Sequence, residues 1–62
     1  EAKVYASAGA INIYGYSGEV KVINTTGQIV KDVTIKDNEQ IEVNKGIYLV
    51  VLNGRSEKVI VE

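Results

Sequence analysis

No cysteine, histidine, proline, methionine, phenylalanine or tryptophan occurs in this 62-residue sequence. Without cysteine there is no disulfide, and without cysteine or histidine there is no structural zinc site. The same two absences remove the commonest general base, the thiol nucleophile and most transition-metal ligands. An excess of one charge is missing as well: seven basic residues stand against eight acidic ones, scattered along the chain for a net charge of −1. With no basic stripe to neutralise phosphates, nucleic acid is not expected as a partner. The longest apolar run, Ile47 to Leu52, is six residues. A membrane helix needs ~20, so no membrane span is expected. There is no signal-peptide pattern, and the first residue is Glu1 rather than methionine, which suggests a piece of a longer chain.

The apolar residues that are present are of one kind. Ten are valine and eight isoleucine, against two leucines. Branching at Cβ restricts rotamers in a helix and suits a pleated sheet, so the composition points to β-structure. Short apolar clusters alternate with glycine, asparagine and charge at intervals of roughly 8–12 residues, the spacing of a sandwich or barrel. Strands are expected at about 3–6, 10–14, 19–24, 28–36, 40–43, 46–52 and 56–61. Turns are expected at Gly9, Gly15–Gly18, Thr25-Thr26-Gly27, Asp37-Asn38, Asn44-Lys45 and Asn53-Gly54. The fold class is therefore all-β: one small antiparallel β-sandwich of six or seven strands over residues 1–62.

Asn53-Gly54 is the clearest turn signal, because a two-residue type I′ hairpin needs positive φ at both central positions. That hairpin sets Leu52 opposite Arg55, Val50 opposite Glu57 and Tyr48 opposite Val59. Alternation assigns the core to Ile11, Ile13, Val20, Val22, Ile41, Val43, Tyr48, Val50, Leu52, Val59 and Val61. The phase of residues 28–36 is broken, and a β-bulge near Lys31-Asp32 is the expected remedy. Gly46 reads as relief of crowding where the chain enters the core.

Three blocks of sequence carry a resemblance. Glu19-Val20-Lys21-Val22-Ile23-Asn24-Thr25-Thr26-Gly27-Gln28-Ile29-Val30 is similar to the V-x-I/V-Y-N/D-x-T/S-G-R/Q-x-V segment of the C-terminal sorting domains of Bacteroidetes type IX (Por) secretion. Lys45-Gly46-Ile47-Tyr48-Leu49-Val50 resembles that family's G-I/V-Y-L/I-V strand, and Glu57-Lys58-Val59-Ile60-Val61-Glu62 its terminal strand. The matching positions are Gly27, Gly46, Tyr48, Lys58, Val59, Ile60 and Val61. The chain departs from the family in lacking its Tyr-Pro-Asn-Pro-like opening. The resemblance implies a non-catalytic, immunoglobulin-like sandwich of seven strands, the C-terminal domain of a longer secreted or cell-surface protein, read by the secretion machinery. It implies no cofactor and no catalytic residue.

Other readings of the residues remain open. A structural or adhesive module would pack against the preceding domain or associate with a second copy of itself. If Tyr48, Val50 and Leu52 face inward, then Ile47, Leu49 and Val51 face outward, with Ile60 beside Ile47. That makes Ile47, Leu49, Val51 and Ile60 the candidate interaction face, bordered by Lys45, Arg55 and Lys58, unless strand seven or the N-terminal segment covers it. Tyr14 and Tyr16, flanking Gly15, invite a carbohydrate reading, although sugar platforms rely heavily on tryptophan. Asp37, Glu39 and Glu42 with Asn38 and Gln40 form an oxygen-rich stretch that lacks a calcium-loop pattern, so no metal is expected. Ser7, Ser17 and Ser56 have no histidine to activate them, and no enzyme activity is expected.

Overall fold

β-Branched alternation and closely spaced turns produce seven strands in the structure, a computed structural model that describes residues 2–62. They are β1 (Lys3–Ser7), β2 (Ala10–Tyr14), β3 (Gly18–Ile23), β4 (Ile29–Ile35), β5 (Asn38–Glu42), β6 (Gly46–Leu52) and β7 (Arg55–Val61). All pairings are antiparallel, giving a three-stranded sheet in the order β1-β2-β5 and a four-stranded sheet in the order β4-β3-β6-β7. The protein is an all-β immunoglobulin-like sandwich, with β4 in the sheet of β3, β6 and β7 rather than beside β5. Among the described residues no helix is long and apolar enough to cross a membrane.

Three two-strand hairpins build most of the frame, and each turn has its own chemistry. Between β6 and β7, Asn53 (φ 50°) and Gly54 (φ 77°) close the expected two-residue loop, with Leu52 opposite Arg55. Between β3 and β4, Asn24 is the hub: its Oδ1 accepts hydrogen bonds from Thr26 Oγ1 (2.8 Å) and from the backbone N–H groups of Thr26 and Gln28 (both 3.0 Å). An asparagine that satisfies its own turn this way replaces the ladder bonds lost where the chain reverses. Between β1 and β2, Ala8 (φ 56°) and Gly9 (φ 73°) fill a two-residue loop closed by Ser7 and Ala10. Both alanine and asparagine meet a Cβ clash in that region, but the short polar side chain of asparagine offsets it by hydrogen-bonding locally. Ala8→Asn is therefore expected to stabilise the fold by about 0.5–1 kcal/mol, read as a rise in Tm of several degrees.

The connection from β4 to β5 is tighter than the expected Asp37-Asn38 turn. Asn38 N donates to Lys36 O at 2.9 Å and Asp37 has φ 72°, a three-residue γ-turn of the strained sense. Its surroundings hold it: Asp37 O accepts from Gly15 N (2.8 Å) and Tyr16 N (3.1 Å), and Asp37 N donates to Ser17 Oγ (3.3 Å). Strain of this kind persists where several outside bonds fix the geometry. Here they tie the two crossovers between the sheets to one another.

The core consists of Ile11, Ile13, Val20, Val22, Ile35, Ile41, Tyr48, Val50, Leu52, Val59 and Val61. Val43 is the one expected member that is only half-buried. It follows β5, an edge strand, and β4 does not close over it. Ile35 takes a place in the core that the broken phase of β4 concealed. The bulge behind that break falls at Val30 rather than at Lys31-Asp32, since Val22 faces Lys31 while the next residue, Ile23, faces Ile29. Below the bulge, Lys31, Val33 and Ile35 share the core side; above it, Ile29 turns to the outer face with Ile23. Lys31 on the core side of one edge strand and Glu39 on the core side of the other are inward-pointing charges, a device that discourages edge-to-edge pairing.

Candidate functional site

Period-two alternation in β6 buries Tyr48, Val50 and Leu52 and turns Ile47, Leu49 and Val51 outward, as the sequence implies. Ile47 pairs with Ile60 of β7, and Leu49 with Lys58. Among the described residues, neither the N-terminal segment nor β7 covers this face: Ile47, Leu49 and Ile60 are between 39% and 55% exposed. Val51 is half-buried in the row that joins Asp32, Lys21 and Ser56.

The face is wider than the hairpin alone. Because β3 lies beside β6, Ile23 stands opposite Leu49 and Ile29 opposite Ile23. One outward row therefore runs Ile29, Ile23, Leu49, Lys58 across all four strands, with Ile47 and Ile60 adjoining it. The charged border differs from the expected one. Arg55 belongs to the core side of β7, opposite Leu52, and its Nη2 pairs with Glu57 Oε2 at 2.7 Å. Lys58 lies within the outer face, and Lys21, ion-paired with Glu19 at 3.4 Å, bounds it on β3. Lys45 is exposed just before β6.

The positions that match the sorting-domain blocks divide by burial. Tyr48, Val59 and Val61 are core residues, and the Tyr48 hydroxyl donates to Asn44 O at 2.7 Å. Gly27 closes the exposed β3–β4 turn at φ 89°. Gly46 opens β6 at φ 153°, and a Cβ there would stand 3.8 Å from the Tyr48 ring, ordinary contact. Crowding is thus not the reason for glycine at this position; the backbone conformation is. Lys58 and Ile60 alone among the seven point outward from a strand.

The aromatic and acidic groupings rearrange. Tyr16 leaves the strand, leans over Gly18 and donates its hydroxyl to Glu19 O at 3.0 Å, so it forms no platform with Tyr14. Tyr14 stacks instead on Tyr5, ring centroids 5.8 Å apart and 22° from parallel. The neighbouring Tyr14 phenol holds the Tyr5 phenol above its ordinary value. Glu39 and Glu42 lie on opposite faces of β5, which disperses the oxygen-rich stretch. No group of three acidic or other ligating side chains able to hold a metal is found among the described residues. Ser17 Oγ is engaged by Asp37 N, while Ser7 and Ser56 are exposed.

Sequence reasoning missed Asn12. It is buried in the middle strand of the three-stranded sheet, and its Nδ2 has no hydrogen-bond partner among the described residues. A buried donor left unmade costs about 1–3 kcal/mol. An open seam between β4 and β5 completes the surface relief, with a depression of about 530 Å³ lined by residues that include Lys31, Val43 and Tyr48.

A family model described as "Domain of unknown function (DUF6383)" matches residues 1–61. The chain belongs to the DUF6383 family. No curated protein and no solved structure matches this DUF6383 domain.

Proposed function

We propose that this DUF6383 domain is a non-catalytic attachment module that docks on surface-export machinery through the outer face of its four-stranded sheet. One observation carries the reading: an aliphatic row runs from Ile29 through the half-buried Ile23 to Leu49 and is extended by Ile47 and Ile60, with Ile29, Leu49, Ile47 and Ile60 exposed to solvent. A contiguous exposed apolar patch on a small domain marks an interaction site or an aggregation liability. Its support from sequence is that the three blocks resembling type IX sorting domains lie largely on β3, β6 and β7, the adjacent strands that carry this face. On this reading the parent protein is secreted or held at the cell surface.

The same chemistry favours a second reading, in which the face packs on a preceding domain or a second copy of the chain. Obligate interfaces of that kind are the more hydrophobic class. Export of a reporter separates the two. Fused to the C-terminus of a fluorescent protein carrying a secretory leader, in a bacterium with type IX secretion, the domain is expected to bring fluorescence to the cell surface. Retention in the periplasm, together with concentration-dependent dimerisation in sedimentation experiments, supports the second reading and overturns the first.

A further inference from the structure

The outer face of the three-stranded sheet has a different character. Register places Lys3, Tyr14 and Asn38 in one cross-strand row, and Tyr5, Asn12 and Gln40 in the next. Asn12 is central, only 7% exposed, and its buried Nδ2 has no hydrogen-bond partner. Beside it lies a depression of about 250 Å³ lined by Asn12, Tyr14, Asn38, Glu39 and Gln40. Stacking on Tyr5 fixes the Tyr14 ring at its wall.

We propose that this depression is a binding site for one pyranose ring of a glycan. Its lining supplies three side-chain amides, those of Asn12, Asn38 and Gln40, each with donors and an acceptor. Adjacent sugar hydroxyls, which both donate and accept, match such an alternating set, and an aromatic wall suits the apolar face of a pyranose. A half-turn of the Asn12 amide exchanges its nitrogen and oxygen within the same volume, which gives the unpartnered donor access to a ligand hydroxyl. Other ligands fit less well. Among the described residues no lysine or arginine lines the depression to receive a phosphate, and side-chain amides without a cluster of carboxylates suit calcium poorly. The site is on the sheet opposite the apolar docking face, so each proposal stands or falls without the other.

The test is a titration of the isotopically labelled chain, followed by backbone amide NMR, with methyl β-glucopyranoside, methyl α-mannopyranoside, methyl β-galactopyranoside and N-acetylglucosamine. At least one probe is expected to bind with a Kd of about 1–10 mM, shifting the amides of Asn12, Tyr14 and Asn38 to Gln40 while those of Leu49 and Ile60 stay still. Tyr14→Ala and Gln40→Ala, both at exposed positions, are expected to weaken that binding about tenfold or more with the spectrum of the core residues unchanged. Absence of saturable shifts with all four probes overturns the proposal, as does an affinity that survives Tyr14→Ala in a folded variant.

Discussion

Ile13→Ala is expected to destabilise the domain by about 2–5 kcal/mol, the cost of removing buried methyl groups and leaving a cavity. Ile13 is fully buried on the central strand of its sheet and belongs to the core cluster that joins the two sheets. A 62-residue domain at ~0.05–0.15 kcal/mol per residue holds only about 3–9 kcal/mol in total. With no cysteine in the sequence, no disulfide offsets the loss. Because small domains lose about 4–8 °C of Tm per kcal/mol, the variant is expected to melt tens of degrees lower or to be unfolded at 25 °C. Thermal denaturation followed by circular dichroism checks this. A shift of only a few degrees would mean that the two sheets do not share one tightly packed core.

Gly46→Ala is expected to be the second largest effect, about 1–3 kcal/mol of backbone strain. The φ of 153° at this residue is one that L side chains rarely adopt, while the Tyr48 ring leaves room for the methyl group itself. The loss would therefore come from conformation, and relaxing it would pull β6 away from Tyr48 and its hydrogen bond to Asn44 O. Urea denaturation gives the magnitude directly. An unchanged midpoint would assign Gly46 to partner contact rather than to folding, reversing the interpretation of that family-matching position.

Local signals made part of this molecule legible. Asn53-Gly54 fixes the β6–β7 register by itself, and from that register the inward and outward sets of both strands follow. The clean alternation of Ile11/Ile13 and Val20/Val22 likewise fixes which side of β2 and β3 is buried. What depends on distant pairing was not legible. Ile23 and Ile29 join the apolar face only because β3 lies beside β6, and no local pattern specifies that neighbour. Tyr5 meets Tyr14 through a hairpin whose first loop residue is Ala8, which turn chemistry does not favour at positive φ. Asn12 reads from alternation as an outward polar residue; its burial arises from the strands that flank it on both sides.

The pair of substitutions Leu49→Lys and Ile60→Lys bears most directly on the account of the apolar face. Both side chains project outward from strands whose alternate residues form the core, so the variant is expected to keep the wild-type dispersion of its core amides and to melt within a few degrees of it. Fused to the same secreted reporter, it is expected to lose surface display, leaving fluorescence in the periplasm. Display equal to that of the unsubstituted domain, from a variant whose fold is intact, would contradict the claim that this face is where the domain docks.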